Sequence, residues 1–407
     1  MRRPGGDLPR EVAVLSAVAF AVAVGFGIVA PAIPVFAREF GVGRTAAGAV
    51  ISVFALLRFV SAFGGGRLVD RFGERAVLAT GLGIVSVSSL LAGLAQTYWQ
   101  LLVLRGAGGV GSAMFTVAAY SLLLRVAAAD QRGRAAGVFQ AGFLIGGIAG
   151  PALGGLLTGA SVRLPFFVYA GTLAVAGAIA VGALARMAPP ADAAAPAAGP
   201  DGQRTSLAEA LADRSYRAAL LANVGTGWAL FGVRSSLIPL FVVEGLRRGP
   251  EWTGVGLVLG SAAQALLLLR AGRFTDQVGR RPALVLGSSL ATASMVLLAL
   301  SATMPAYLVS MGLLGAGAAF LGTAPAAVVG DTVRGRGGSV VAVFQMAGDL
   351  GAIVGPLVAG WLADSASYGA AWGSVAAVLA VGLVAALTMP RDPPGGPVPD
   401  RTPSSRG

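Results

Sequence analysis

The chain has 407 residues, 56% of them hydrophobic and 12% charged, with a net charge of +12 and no histidine or cysteine. Soluble domains carry roughly 25% charged residues, so the composition excludes an ordinary globular protein; the missing cysteines exclude disulfide frameworks and thiolate chemistry. The thirty basic residues are all arginine and sit mostly between apolar runs, not on a stripe interleaved with aromatics, which excludes a nucleic-acid binder.

Twelve apolar segments follow in order, near residues 12–36, 46–66, 76–96, 99–124, 135–160, 164–187, 217–243, 253–271, 282–303, 305–330, 338–362 and 370–389. Each is close to the ~20 residues that cross a bilayer as helix. Helix is the form predicted, because its backbone polar groups pair internally. Pro31, Pro34, Pro151, Pro239 and Pro356 predict kinks rather than breaks. Met1 to Ala32 has the outline of a signal peptide, but its long apolar run and the eleven spans behind it make it the first span.

The organisation predicted is a six-helix bundle over residues 1–187, a cytoplasmic linker over 188–214, a second six-helix bundle over 215–389 and a disordered tail over 390–407. Within the linker, Ser206-Leu207-Ala208-Glu209 fits a capping box and predicts a short surface helix. With the N-terminus placed in the cytoplasm, twenty-two arginines fall on the inner side and five (Arg38, Arg44, Arg163, Arg247, Arg248) on the outer side. This asymmetry predicts a multi-pass protein of the cell (inner) membrane with both termini cytoplasmic.

The segments repeat. Gly66-Arg67-Leu68-Val69-Asp70-Arg71-Phe72-Gly73-Glu74-Arg75 returns as Gly272-Arg273-Phe274-Thr275-Asp276-Gln277-Val278-Gly279-Arg280-Arg281, at an offset of 206, each copy reading as a short charged loop between apolar runs. Arg105 and Gly109 match Met311 and Gly315 at the same offset. Phe139-Gln140 and Gly150-Pro151 match Phe344-Gln345 and Gly355-Pro356 at 205. Six crossings per copy is an even number, so the two halves insert with the same orientation, related by an axis along the membrane normal.

On these residues the chain resembles the major facilitator superfamily, whose signature G-x-L-x-D-R-x-G-R-R lies between the second and third helices. Gly66, Leu68, Asp70, Arg71, Gly73 and Arg75 match it, and Glu74 departs by sign. The second copy keeps Gly272, Asp276, Gly279, Arg280 and Arg281. Gly146, Gly150, Pro151, Gly154 and Gly155 fit a fifth-helix pattern of the family's drug–proton antiporters, and Arg105 with Gly109 looks like a further family motif. The resemblance covers about residues 10–389 and implies an all-α membrane protein of twelve transmembrane helices in two six-helix bundles. It implies that Asp70, beside Arg71 and Arg75, latches the halves on the cytoplasmic side; the bland alternative is loop anchoring at the headgroups. Physically, such a carboxylate suits a helix N-terminus. For the fifth-helix glycines, close helix packing stands beside a coupling role.

Four ionisable residues fall deep in apolar spans: Arg58, Arg105, Arg234 and Asp349. Each costs about 2.5–3.5 kcal/mol at a helix centre, so they are expected to face the interior. Helical spacing puts Arg105, Gly109, Ser112, Thr116 and Tyr120 on one stripe, and Asn223, Thr226 and Arg234 on one face. Gln345 lies one turn from Asp349, and Gln140 and Gln264 are neutral interior candidates. Asp349, the one carboxylate deep in a span, is the candidate proton carrier; a permanent Asp–Arg pair that only joins helices is the alternative. The three arginines are candidates for contact with substrate or with Asp349, or for bonding to backbone carbonyls of neighbouring helices.

The function expected is proton-driven export of small organic molecules, with a small-molecule substrate, the lipid bilayer as surroundings, no cofactor, no nucleic acid, the proton gradient as energy source, and a monomer as the working unit. The runner-up is a uniporter or symporter of a metabolite or organic anion, favoured by the +2 excess of interior charge. Enzyme action is not expected: no nucleophile–base set, metal cluster or phosphate-binding loop is visible.

Overall fold

The computed structural model describes residues 9–127, 132–185, 206–332 and 338–390. Among them, twelve helices are long and apolar enough to cross a membrane. They are α1 (Arg10–Glu39), α2 (Arg44–Phe72), α3 (Glu74–Gly93), α4 (Tyr98–Val126), α5 (Arg132–Ala160) and α6 (Leu164–Ala185). The second set is α7 (Arg214–Gly245), α8 (Glu251–Gln277), α9 (Arg280–Leu300), α10 (Met304–Thr332), α11 (Gly338–Ser365) and α12 (Tyr368–Leu387). Between the sets, Leu207–Ala212 forms the short helix expected of the capping box, with Ser206 Oγ accepting from the Glu209 N–H and the Glu209 carboxylate accepting from the Ser206 N–H. Most of the predicted linker and tail, residues 188–205 and 391–407, lie outside the described residues.

Local chemistry sets several of the ends. Thr97 and Gln100 form a capping box at the start of α4, and the Ser367 hydroxyl caps α12. Gly73 (φ 79°) and Gly279 (φ 128°) form the turns after α2 and α8, in a region of backbone space open to glycine and costly for other residues. These two turns correct one expectation. The repeated charged segments are not loops: α2 runs unbroken to Phe72 and α8 to Gln277. Asp70 therefore sits in the last turn of α2, at a helix C-terminus rather than an N-terminus.

The repeat-related first and seventh helices are both irregular. α1 is interrupted at Ala30–Pro31, and α7 widens into π-helix at Gly227–Val233 and Phe241–Gly245, on either side of Pro239. Buried apolar side chains form two clusters. One runs from Val12 to Ala180 together with Leu240, the other from Ala210 to Met389. Within the first half α1 packs on α5 and α6, and α4 on α2 and α3; within the second, α10 packs on α8 and α9, and α7 on α11 and α12.

Two long seams join the halves, α2 with α11 and α5 with α8, and the repeat exchanges one for the other; α7 also meets the ends of α1 and α2. Backbones approach closely on both. A Cβ on Gly48 of α2 would lie 2.6 Å from Pro356 O of α11, and one on Gly155 of α5 would run into Gly254 of α8. The antiparallel connections put Gly73 and Gly279 at one end of the molecule, called here the proximal face with Arg10 and Arg214, and residues 39–44, 245–251 and 364–368 at the other, the distal face.

Candidate functional site

The α2–α11 seam carries the polar contacts. Arg58 Nη2 of α2 lies 2.7 Å from Asp349 Oδ1 of α11, an ion pair between the two halves. Both side chains stay accessible, 41% for Arg58 and 27% for Asp349. Further toward the distal face, Ser52 Oγ donates to Ile353 O at 2.7 Å. At the distal end, Glu244 accepts from Arg38 Nε (2.6 Å), Arg44 Nε (2.8 Å) and the Tyr368 hydroxyl (3.0 Å). Asp364 accepts from the Arg44 and Thr45 backbone N–H groups and from the Thr45 hydroxyl. Arg44 also lies over the Tyr368 ring, 4.7 Å from its centroid. The halves are thus tied at the distal end, along α2–α11 by Ser52 and Asp364 and beside it by Glu244 of α7, which holds Arg38 of α1 and Arg44 of α2.

The other interior cations behave differently. Arg105 is buried to 1% exposure, its guanidinium lies 4.6 Å from the Phe54 ring centroid, and its Nε and Nη2 have no hydrogen-bond partner among the described residues. It faces the first bundle's interior, and Gly109 one turn on packs against Phe54 O of α2, which keeps that part of the predicted stripe on one face. Arg105 does not reach Asp349; Arg58 does. Arg234 is partly buried in α7 and makes no ion pair or hydrogen bond among the described residues.

Three neutral candidates are placed as follows. Asn223 Nδ2 donates to Phe344 O of α11 at 2.6 Å, which staples α7 to α11 within one bundle. Asn223 and Thr226 share the α-helical first part of α7, and the π stretch Gly227–Val233 lies between them and Arg234. Gln264 is partly buried and Gln345 is exposed. The side chains of Gln140 and Asp70, and the surroundings of Gly66, lie outside the described residues.

The motif residues are mostly structural in their contacts. Gly142, Gly146, Gly150 and Gly154 form a ridge along α5 on which a Cβ would lie 2.5–2.6 Å from the Ser16, Phe20, Val24 or Ile28 carbonyl oxygens of α1. Pro151 packs against Gly27 of α1, and Gly155 faces α8 across the second seam. At the proximal face, Arg280 bonds to Asp276 (3.1 Å), Asp331 (2.9 Å) and Thr275 O (2.8 Å), tying α8, α9 and α10 together. Arg281 donates to Leu387 O of α12. In the first copy Arg71 lies over Phe72, while Glu74 pairs with Arg125 at 2.7 Å. Gly272 has open space where a side chain would be.

The sequence profile of the Major Facilitator Superfamily matches residues 15–263 and again 237–406. The chain belongs to this superfamily. As a facilitator it is similar to Multidrug resistance protein 1 of Bacillus subtilis (strain 168), 28% identical over 283 residues, which span 67% of this chain and 69% of that one. It is similar also to the Quinolone resistance protein NorA of Staphylococcus aureus (strain MRSA252), 28% identical over 166 residues, 41% of this chain and 42% of NorA. Among solved structures, a bacterial homolog of the human lysosomal transporter Spinster, in an inward-facing and unoccupied conformation, shares the fold at a TM-score of 0.72 with 17% identity, covering 94% of this chain and 96% of that one. A POT family transporter in complex with a thioalcohol-conjugated peptide shares it at 0.74 with 13% identity, covering 93% and 95%. The facilitator is a membrane transporter of small molecules, not an enzyme.

Sequence reasoning missed the distal cluster. Arg38 and Arg44 counted only as outer arginines, and Glu244 and Asp364 were not singled out. One signal was present: Arg38 and Glu244 are 206 residues apart, the repeat offset, so the duplication brings opposite charges to equivalent helix ends.

Proposed function

We propose that this facilitator is a proton-driven exporter of small organic molecules, working by alternating access with both termini in the cytoplasm of a cell whose inner membrane it spans. The observation that carries the reading is the Arg58–Asp349 pair, which joins the two bundles at the one carboxylate deep in a span. A proton on Asp349 cancels the charge that holds Arg58, so proton binding and the separation of α2 from α11 are linked events. The similarity to two drug-resistance proteins supports export of drug-like solutes.

The experiment is transport in reconstituted vesicles with an imposed pH gradient, across a panel of cationic, neutral and anionic solutes. Gradient-driven flux in the parent protein and its loss in Asp349→Asn are expected. Flux that ignores the gradient rejects proton coupling, and full coupling in Asp349→Asn rejects the residue.

A second reading rests on Arg105 and Arg234, two interior cations without a carboxylate partner among the described residues. They favour an organic anion or acidic metabolite, carried by uniport or symport. A panel in which only anions move, with or without the gradient, selects it.

A further inference from the structure

The start of α2 presents an unusual arrangement. The first turn of a helix leaves backbone N–H groups without intrahelical partners, and a side chain at the preceding position commonly accepts from them. Here that position is Gly43, which has no side chain to offer. The acceptor comes from the other half of the molecule. Asp364, in the last turn of α11, takes the Arg44 N–H on Oδ1 (2.9 Å) and the Thr45 N–H on Oδ2 (2.8 Å), with the Thr45 hydroxyl also on Oδ2 (2.8 Å).

The surroundings are fitted to this contact. A Cβ on Gly43 would lie 2.9 Å from Asp364 Oδ2, so glycine is what lets the carboxylate approach. The Arg44 side chain turns back over the same helix end, donating to Ala363 O at 3.0 Å with Nη1 3.6 Å from Asp364 Oδ1. Just beyond it, Gly360 of α11 packs on Thr45, where a Cβ would lie 2.8 Å from the Thr45 Cα.

We infer that Asp364 is the distal-face latch of the transport cycle, a helix cap supplied across the bundle interface, made when the distal face is closed and broken each time it opens. Charge and geometry favour Asp364 over its neighbour Glu244. The Arg38 and Arg44 side chains that Glu244 holds are long and regain water readily when the face opens. The α2 backbone N–H groups are fixed in place, bond a full charge at two points, and find no substitute in Gly43. The latch acts on the opening equilibrium alone, so the inference stands whatever the coupling ion or solute.

The absence of cysteine makes the test clean. Ser52 is 4% exposed and lies on the α2–α11 seam beneath the latch. A Ser52→Cys protein in nanodiscs, with no pH gradient, is labelled with a polar maleimide, and the rate reports how often the seam opens. Losing an N-cap shifts an equilibrium by roughly tenfold, so Asp364→Ala is expected to raise the rate by about that factor. Gly43→Val, which keeps every charge but pushes the carboxylate away, is expected to raise it severalfold. Asp213→Ala removes a cap of the same kind within one bundle, where the Asp213 carboxylate accepts from the Ser215 N–H, and should leave the rate unchanged. Rates within twofold of the parent for folded Asp364→Ala or Gly43→Val overturn the latch. So does an equal rise in Asp213→Ala, which would mark general loosening. If Asp364→Ala does not insert, Gly43→Val decides.

Discussion

The two seams that join the halves are copies of one another, yet among the described residues one carries an ion pair between the halves at mid-span and the other does not. On the α2–α11 seam stand Arg58 and Asp349; the repeat puts Gln264 and Leu144 at the matching places on α8 and α5. Arg44, whose backbone Asp364 caps, is matched by Pro250, which has no N–H to donate. Both seams keep their close glycine contacts, Gly48 at Pro356 and Gly155 at Gly254. Duplication preserved the fit of the backbones, while the Arg58–Asp349 pair stands on one seam. On the function proposed above, this asymmetry assigns the switch to the α2–α11 seam and register to the α5–α8 seam.

The largest expected effect comes from breaking that difference. Arg58→Ala leaves Asp349 facing the seam without its partner, at a cost of about 1–2 kcal/mol once screening of these half-exposed groups is discounted. Gradient-driven flux in vesicles should fall by roughly tenfold or more. Gln264→Ala, at the repeat-equivalent position on α8, should keep that flux within about twofold, because no charge is stranded. Equal losses in the two variants would mean that the seams are functionally alike.

Why some of this could be read from the chain and some could not follows from range. The twelve spans were legible because a helix in lipid needs only ~20 apolar residues and satisfies its own backbone. Their proximal ends were misjudged at Gly66–Phe72 and Gly272–Gln277, where charged residues continue the helix past the apolar run and a glycine makes the turn. That Arg58 meets Asp349 was not legible in detail, since the two are 291 residues apart and periodicity states which face a residue takes, not which helix lies opposite. The contact of Asn223 with Phe344 O, 121 residues away, was hidden for the same reason.

A second contrast between the halves lies at the proximal face. Glu74 and Arg280 occupy matching positions, as do Arg125 and Asp331, so the ion pair is conserved in geometry with its charges exchanged. The sign change at Glu74 thus has its answer on α4. The first-half version is the more enclosed, with the Glu74 side chain 11% exposed. Glu74→Arg sets two cations together in that place, and the expected loss is about 2 kcal/mol, an apparent Tm lower by about 3 °C in detergent. Adding Arg125→Asp, which copies the second half's arrangement, should recover at least half of the loss. A double variant no better than the single would mean that the two sites differ in more than sign.

The exposed version of the pair sharpens the same comparison from the weak side. Asp331 is 61% exposed, and Arg280 holds Asp276 and Thr275 O as well, so Asp331→Asn removes the charge from one attachment among several in a well-solvated place. An exposed pair contributes ~0.5 kcal/mol or less, and the apparent Tm should move by under about 1 °C. Arg125→Gln in the first half is the matched variant, because it too neutralises the α10-side or α4-side partner while leaving the group at the start of α9 or α3. It takes the charge partner from the enclosed Glu74, to which the Ser121 hydroxyl makes a weak contact at 3.5 Å, and should cost clearly more. If Asp331→Asn proves the costlier of the two, enclosure is not what separates the copies, and the web around Arg280 would have to act as one cooperative unit.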